Sequence, residues 1–325
     1  MVETTRLAPS PTGALHLGNA RTFLINWAMA RQRGWRIVLR IEDLDTPRTK
    51  PGADQQAIDD LCWLGIDWDQ GPHYQADDLS PYATALGRLH DQGLIYPCVC
   101  TRKDIEQAAS APHADKHEQR YPGTCRPRCW GGAGDAPPAD AAPLDDPDPD
   151  RPAAWRVFVP DENIVFDDGL LGRQVVDVQG KIGDFVVVSK ARLPAYQLAV
   201  CIDDQRQAVT HIVRGKDLVR SAGRQRYLYR VLGLAPLPQY WHLPLVLGPD
   251  GRRLAKRHGD TRVSWYREQA VSAERIIGLM GHWCGLIDEP RPMGGAEFVD
   301  RFDLAALPKT DITFTAKDHA WLVNG

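Results

Sequence analysis

The sequence lacks any apolar run long enough to cross a lipid bilayer, which would need about 18 residues or more. It also lacks a leader pattern, because Met1 is followed by charged and polar residues. We therefore expect a cytoplasmic protein without a membrane partner. A large excess of positive charge is missing too, since the formal net charge is −3. This balance argues against a protein that binds nucleic acid through a general coat of lysine.

Cysteine is present only seven times, and an odd count in a cytoplasmic protein argues against a disulfide framework. Cys62, Cys201 and Cys284 each stand alone in apolar surroundings, and we expect them to be buried thiols. The chain has 325 residues and is 43% hydrophobic. It is therefore long enough for a catalytic domain with one or two insertions, each with its own core.

The segment from Arg6 to Asn19, RLAPSPTGALHLGN, is the most informative part of the chain. Its two prolines cannot donate to a strand ladder, so they end the preceding apolar run and force an open turn. Apolar residues then recur at helical spacing after Gly18 and stop before Gly34, which predicts a helix that begins near His16. The N–H groups and the positive dipole end at such a start favour a bound phosphate.

The next segment, WRIVLRIEDLD at 35–45, is rich in β-branched residues and ends with Glu42 and Asp43. Strand, turn, helix and strand make a βαβ unit, and ligands bind outside the carboxyl ends of its strands. We therefore expect Glu42 to lie near the phosphate site.

Two basic segments follow much later in the chain. GRRLAKRHGD at 251–260 is by itself typical of a solvated turn, just as a histidine beside a helix start is typical of ordinary turn chemistry. Between Arg214 and Arg230, six basic residues face the single acid Asp217. This stretch is either a solvated helix face with paired charges or a surface that contacts phosphates.

Four cysteines lie close together near the middle of the chain: Cys98, Cys100, Cys125 and Cys129. Thiolates at this spacing in a reducing compartment suit tetrahedral zinc better than disulfides, although unmetallated thiols are the alternative. If Cys98, Cys100 and Cys125 bind one zinc ion, the fourth position of its tetrahedral coordination stays open. The candidates for it are Cys129 and, more weakly, His113 and His117.

Five ordered segments together resemble the glutamyl-tRNA synthetase family of class I aminoacyl-tRNA synthetases. They are RLAPSPTG at 6–13, HLGN at 16–19, RIEDLDTPR at 40–48, AYQLAVCIDD with VTHIVRGKDL at 195–218, and RLAKR at 253–257. HLGN stands for the HIGH sequence of the class, and RLAKR stands for KMSKS. The resemblance covers most of the chain. The loop departs from the pattern at Arg253, Ala255 and Arg257, so its contacts are open.

The resemblance implies an α/β fold, with a Rossmann-type doubly wound parallel sheet, a zinc-containing insertion and a short helical C-terminal tail. We place the catalytic halves at 1–95 and 153–250, the insertion at 96–152 and the KMSKS-like loop with the tail at 251–325. Six aspartates and five prolines at 135–150 are typical of a disordered or extended linker. Five tail residues share one helical face: Ala273, Ile276, Ile277, Met280 and Trp283.

A glutamate substrate has two carboxylates and one ammonium group, so its pocket needs guanidinium groups, an acid and hydroxyls. By resemblance, Glu42 would bind the α-ammonium, and Arg6 and Arg214 would bind the carboxylates. The other implied pocket residues are Ala8, Ser10 and Tyr196. Each charged residue has an ordinary alternative as a surface charge, and the tyrosine has one as a core residue.

The resemblance implies ATP as the second substrate, with Mg²⁺ bound alongside it although no dedicated carboxylate cage is visible. Attack of the substrate α-carboxylate on the α-phosphate would expel pyrophosphate, so catalysis rests on positioning and charge stabilisation. His16 would donate a hydrogen bond at the helix start, and Lys256 would neutralise the leaving group. The implied ATP-binding residues are Pro9, His16, Gly18, Asn19 and Lys256.

The family's short members close a structural zinc site with CxC and YxxxC, which correspond here to Cys98, Cys100, Tyr121 and Cys125. Residues 301–325 resemble the segment that precedes the anticodon-binding helices of glutamyl-tRNA synthetases, and the chain ends there. A core without those helices resembles the glutamyl-Q tRNA(Asp) synthetase family. Its members activate L-glutamate without tRNA and esterify it to queuosine in the anticodon loop of tRNA(Asp).

Leu218 in GKDL also suits that family. We expect a monomer. Two alternatives remain open: a shortened glutamyl-tRNA synthetase that charges tRNA(Glu), and a catalytically silent paralogue that binds glutamate, ATP or tRNA as a regulator.

Overall fold

The computed structural model describes residues 2–44, 49–108, 119–127, 152–252, 254 and 260–324. The predicted linker at 135–150 lies outside these ranges, as do the predicted or candidate site residues Lys256, Cys129, His113 and His117. Among the helices of the described ranges, none is both long and apolar enough to cross a membrane.

The structure alternates strands and helices along most of the described chain. The strands are β1 (Thr4–Leu7), β2 (Arg36–Ile41), β3 (Gln70–Tyr74), β4 (Ile95–Cys98), β5 (Ala154–Val157), β6 (Asn163–Asp168), β7 (Gly172–Asp177), β8 (Phe185–Val188), β9 (His211–Gly215), β10 (Gln239–Leu243), β11 (Val246–Leu247) and β12 (Ile312–Thr313). The helices are α1 (Leu17–Arg33), α2 (Ala53–Trp63), α3 (Ser80–Asp91), α4 (Arg102–Ala108), α5 (Val178–Lys181), α6 (Tyr196–Arg206), α7 (Val219–Leu232), α8 (Val263–Glu268), α9 (Ala273–Trp283), α10 (Gly295–Arg301) and α11 (Ala316–Asn324).

The predicted βαβ unit is confirmed. Strands β1 and β2 pair in parallel, with Arg6 opposite Val38, and α1 connects them. The helix ends where Gly34 adopts a left-handed conformation with φ of 67°, a value that glycine accepts at little cost.

The central sheet has seven strands in the order β3-β2-β1-β9-β10-β6-β7. The pairs from β3 to β6 are parallel, and only the edge strand β7 runs antiparallel to its neighbour. Because β1 lies beside β9, the strand order reverses between the first and second parts of the chain. Ligands of doubly wound sheets bind at such a switch point, outside the carboxyl ends of the strands.

Helices cover both faces of this sheet, as predicted. One apolar cluster joins α1 and the helical C-terminal end to one face, through residues such as Leu7, Leu24 and Ile276. A second cluster joins α3, α6 and α7 to the opposite face, through residues such as Leu89, Ile212 and Leu228. The two cores hold the strands in register and so fix the edge where the candidate site lies.

A second, smaller sheet contains three antiparallel strands in the order β4-β5-β8. Strand β4 lies at the beginning of the predicted insertion at 96–152, whereas β5 and β8 follow that insertion. The predicted domain boundaries at 95/96, 152/153 and 250/251 remain predictions.

The three isolated cysteines do not behave alike. Cys201 and Cys284 are buried, as predicted, but Cys62 is exposed, so that prediction was wrong. Helix α2 buries the face that contains Ala57 and Leu61. Because successive helical residues are rotated by about 100°, Cys62 points away from that face.

Four of the five residues on the predicted apolar face of the tail, Ile276, Ile277, Met280 and Trp283 of α9, are buried, and the fifth, Ala273, is half-buried against the same core. Another residue of α9, Gly278, lies so close to the backbone carbonyl of Arg291 that an added Cβ would stand 1.7 Å from that oxygen. The turn after α9 therefore packs directly against helix backbone.

We expect Gly278→Ala to lower the free energy of unfolding by about 1–3 kcal/mol, because backbone rather than a flexible side chain must move. Gly87→Ala in α3 is the matched control, since a Cβ there meets no atom within 4 Å. It should leave stability unchanged or raise it by up to about 1 kcal/mol. Urea unfolding measures both, and a Gly278→Ala variant as stable as Gly87→Ala would contradict this packing.

Candidate active site

The turn after β1 is fastened to the end of β2. The Glu42 N–H donates to the Pro9 carbonyl at 3.1 Å, and the Lys50 N–H donates to the Pro11 carbonyl at 2.9 Å. Ala8 is half-buried in this turn, Pro9 is buried and Ser10 is exposed. The first turn and the predicted acid Glu42 therefore lie side by side at the carboxyl edge of the sheet.

The start of α1 is bound to a segment far along the chain. His16 is the N-cap residue, and its Nδ1 lies 3.0 Å from the Thr261 hydroxyl. The Leu17 N–H donates to the Thr261 carbonyl at 3.0 Å, and the Val263 N–H donates to the Leu15 carbonyl at 2.8 Å. One N–H of the helix start is thus already used by Thr261, a partner that the sequence did not reveal.

The KMSKS-like loop flanks the same helix start. Near the beginning of the loop, the Leu254 N–H donates to the Val246 carbonyl at 3.3 Å, and Val246 packs beside Gly18. After the loop comes Thr261, the partner of His16. The two signature segments therefore converge, while the role of Lys256 remains a prediction.

A cluster of buried charges occupies the edge beside this helix start. Arg40 Nη2 lies 2.8 Å from Asp204 Oδ1 and 3.5 Å from Glu42 Oε1. Arg6 Nε lies 3.5 Å from the same Asp204 oxygen. Sequence reasoning missed Arg40 and Asp204. The alternation of β2, which puts Arg40 and Glu42 on one face, was the signal that could have found the first of them.

Burial disfavours the charged form of every member of this cluster, and the neighbouring charges decide the net shift of each pKa. It lowers the pKa of Arg6, which Asp204 only partly offsets. It raises the pKa of Glu42 more than the Arg40 and Arg6 charges lower it. Arg40 also loses solvation, but Asp204 and Glu42 outweigh that loss and raise its pKa. A ligand ammonium near Glu42 would therefore favour the ionised carboxylate, and a ligand carboxylate would favour charged Arg6.

The guanidinium of Arg6 can donate a further hydrogen bond. Its side chain is buried, and its Nε has no hydrogen-bond partner among the residues that the structure describes. Its nearest carboxylate, Asp204 at 3.5 Å, is shared with Arg40, so the burial of Arg6 is incompletely compensated and a ligand carboxylate would reduce that cost.

Arg214 is only 4% exposed and is held by three acceptors. Its Nε donates to His242 Nε2 at 3.0 Å, its Nη1 to Gln225 Oε1 at 2.9 Å and its Nη2 to the Leu218 carbonyl at 3.2 Å. None of these three acceptors is a carboxylate. The guanidinium is therefore rigidly oriented without a direct counter-ion among them.

Tyr196 begins α6 and is 39% exposed. Packing around its hydroxyl raises its pKa, the Glu42 carboxylate adds to that shift, and the Arg214 and Arg6 cations oppose it. The structure thus gathers four predicted pocket residues, Arg6, Glu42, Tyr196 and Arg214, at one edge, with Ala8 and Ser10 on the adjoining turn. The predicted core alternative for this tyrosine does not hold.

The basic segment from Arg214 to Arg230 is not a single surface. Arg214 and Arg224 are buried, whereas Lys216 pairs with Asp311 and Arg230 pairs with Glu162. The interpretation as a helix face with paired charges therefore holds for only part of the segment, and the phosphate-contacting surface remains a prediction.

A candidate metal centre lies on the smaller sheet. The Sγ atoms of Cys98, Cys100 and Cys125 all lie within 4.8 Å of one another. Thiolates on one tetrahedral zinc ion stand about 3.8 Å apart, given Zn–S bonds of about 2.3 Å. The Tyr121 hydroxyl lies 3.5 Å from Cys98 Sγ and accepts the Cys125 N–H at 2.7 Å. The donor set fits zinc, with Tyr121 adjacent and Cys129 outside the described residues.

The electrostatics of the three-cysteine cluster also favour a bound cation. Burial and the neighbouring thiols raise the pKa of Cys100 to about 12. At Cys98 burial acts in the same direction, but hydrogen bonds from Tyr121 and Arg156 outweigh it and lower the pKa. Three thiolates this close repel one another, and a bound divalent cation removes that penalty.

We expect the purified protein to contain about one zinc ion per chain and Cys125→Ser to lose most of it, because a serine hydroxyl is a much poorer zinc ligand than a thiolate. Cys62→Ser is the matched control, since Cys62 is exposed on α2 and outside the cluster. Elemental analysis after gel filtration measures both variants. Wild-type protein with far less than one zinc per chain would rule out the centre.

Comparison with known proteins gives a family match over most of the chain. Residues 2–284 match the family described as "tRNA synthetases class I (E and Q), catalytic domain".

Several curated relatives carry the name glutamyl-Q tRNA(Asp) synthetase. The protein from Symbiobacterium thermophilum is 44% identical over 98% of both chains. The one from Rhodopirellula baltica is 48% identical over 86% of this chain and 84% of its own. Among solved structures, a glutamate tRNA ligase from Elizabethkingia meningosepticum in complex with its amino acid superposes with a TM-score of 0.78 at 25% identity. That match covers 99% of this chain and 69% of the ligase.

Proposed function

The chain belongs to the family of class I tRNA synthetases for glutamate and glutamine, and we propose that it activates L-glutamate with ATP and transfers it to the queuosine nucleoside of tRNA(Asp). The observation that carries this proposal is the near full-length similarity, at 44% identity, to a protein named glutamyl-Q tRNA(Asp) synthetase. The chain is accordingly an enzyme of the ligase type.

We propose that glutamate binds at the edge formed by β1, β2 and β9. Glu42 would accept the α-ammonium, and Arg6 and Arg214 would bind the two carboxylates, because both guanidinium groups are buried without full compensation. Tyr196 and Ser10 would orient the substrate, and the half-buried Ala8 would line the pocket. Bidentate arginine contacts give such a site both strength and direction.

ATP would bind beside it, at the start of α1. Pro9, His16, Gly18 and Asn19 would surround the phosphates there, where the helix dipole favours anions. If His16 Nδ1 accepts from Thr261, the ring proton stands on Nε2, which would donate to a phosphate oxygen. The substrate α-carboxylate then attacks the α-phosphorus, the bond to the bridging oxygen breaks, and pyrophosphate leaves.

Charge growing on the leaving pyrophosphate would be neutralised by Lys256, which the KMSKS-like loop carries. Mg²⁺ is expected to accompany the nucleotide and to supply further charge neutralisation. Zinc, bound by Cys98, Cys100, Tyr121 and Cys125, would be structural. It would hold residues 119–127 beside β4, and the Tyr121 N–H also donates to the carbonyl of Ile182, the C-cap residue of α5, at 2.8 Å.

We expect Lys256→Ala to lower the rate of glutamate-dependent exchange of pyrophosphate into ATP by at least about 10-fold, which corresponds to about 1.4 kcal/mol of transition-state stabilisation. The control is Lys181→Ala, an exposed lysine in α5. It should retain the wild-type rate. A near-unchanged rate for Lys256→Ala would mean that the loop is misassigned.

The acceptor is tested with three RNAs. We expect labelled glutamate to be transferred to queuosine-containing tRNA(Asp), and not to tRNA(Glu) or to tRNA(Asp) that lacks queuosine. The activation step should proceed without any RNA.

Charging of tRNA(Glu) would instead support the glutamate tRNA ligase function, the second candidate, which the fold similarity to such a ligase favours. Absence of both exchange and transfer would support the silent paralogue.

A further inference from the structure

Three buried polar side chains form a row across neighbouring strands of the central sheet. Asp168 ends β6, His242 lies on β10, and Arg214 lies on β9 opposite His242. Asp168 Oδ2 stands 2.6 Å from His242 Nδ1, and Arg214 Nε stands 3.0 Å from His242 Nε2. His242 is 0% exposed. The row ends at Arg214, one of the residues proposed to bind a substrate carboxylate.

The chemistry of arginine fixes the protonation state of His242. A guanidinium can only donate hydrogen bonds, so His242 Nε2 must accept and carries no proton. The single ring proton is then on Nδ1 and is donated to the Asp168 carboxylate. His242 is therefore neutral, in the Nδ1–H tautomer. Burial lowers its pKa, although the Asp168 carboxylate acts in the opposite direction.

Asp168 is itself held in place. Its Oδ1 accepts the backbone N–H groups of Leu170 at 3.0 Å, Leu171 at 2.9 Å and His242 at 3.3 Å. Burial would raise its pKa, but these bonds and the one from the His242 ring lower it overall. The carboxylate is thus ionised and rigid, and it sets the orientation of the imidazole.

We propose that Asp168 and His242 are positioning residues for the substrate-carboxylate site, and that they fix Arg214 while leaving its charge available. This inference rests on the proposed function. A carboxylate in direct contact with Arg214 would orient it equally well but would also neutralise it, as Asp204 does to Arg40. Because the neutral imidazole of His242 lies between them, Asp168 can orient the Arg214 guanidinium without neutralising its charge. Gln225 and the Leu218 carbonyl, the other acceptors, are neutral as well.

The decisive variant is Asp168→Asn, which keeps the shape but changes the atom that faces the imidazole. The asparagine Oδ1 can still accept the three backbone N–H groups, while its NH₂ group now faces His242 Nδ1. That contact favours the Nε2–H tautomer, whose proton would oppose the Arg214 Nε–H. The expected result is at least about a 10-fold rise in the KM for glutamate, with the KM for ATP changed by less than about 2-fold.

Asp167→Asn is the matched control. It makes the same chemical change one residue earlier on β6, where the side chain is exposed, and it should retain wild-type constants. Pyrophosphate exchange gives both KM values. The ¹⁵N shifts of labelled histidine give a second readout, because Asp168→Asn should convert His242 from the Nδ1–H to the Nε2–H form.

A second pair of variants replaces His242 itself. In His242→Gln, the side-chain oxygen can reach the position of Nε2 and accept from Arg214. In His242→Asn, an amide group remains near Asp168, but nothing reaches Arg214. We expect the glutamine variant to have a glutamate KM closer to wild type than the asparagine variant. This comparison also decides the question if Asp168→Asn does not fold.

The possible failures are distinguishable. If the wild type has no glutamate-dependent exchange, the proposed function fails and the inference falls with it. If the wild type is active and Asp168→Asn keeps the wild-type KM for glutamate or the Nδ1–H tautomer, the inference alone is overturned. Equal glutamate KM values for the glutamine and asparagine variants at position 242 would also overturn it.

Discussion

The candidate site depends on how buried arginines are compensated at the carboxyl edge of the central sheet. Burying a guanidinium is costly unless anions or good acceptors surround it. The charge of Arg40 is compensated by the carboxylates of Asp204 and Glu42. The Arg6 Nε shares the Asp204 carboxylate and lies 3.5 Å from it. Arg214 has neutral acceptors. This uneven compensation makes one arginine structural and leaves two able to bind an acidic ligand, which suits glutamate better than a neutral amino acid.

The fold brings these charges together with the start of α1, the predicted phosphate site, because β1 and β9 are neighbours. Arg6 reaches the edge from β1, Glu42 follows β2, and Arg214 reaches the edge from β9. On the other side of the turn, Thr261 binds both the side chain of His16 and the backbone of Leu17. The two substrates of an adenylation reaction can therefore be held by separate rigid elements, which is what in-line attack requires.

Local patterns predicted the parts of this structure that depend on neighbouring residues. The βαβ unit, the helix from Leu17 to Arg33 and the buried face of α9 followed from apolar spacing and from glycine and proline positions. The prediction for Cys62 was wrong because an apolar neighbourhood in sequence does not decide which side of a helix faces the core. Asp168, His242 and Thr261 were missed because each acts through a residue distant in sequence.

The sequence by itself determined which chemical groups are available: the signature segments, the acid after β2, the arginines and the clustered thiols. Their identities and local spacing are properties of the chain, and the family resemblance could be recognised from them. Only the tertiary structure decided how each group is partnered, and hence whether an arginine is neutralised or left to bind a ligand. The physical reason is that burial and compensation depend on contacts between residues that lie far apart in the chain, 28 residues for Arg214 with His242 and 164 residues for Arg40 with Asp204.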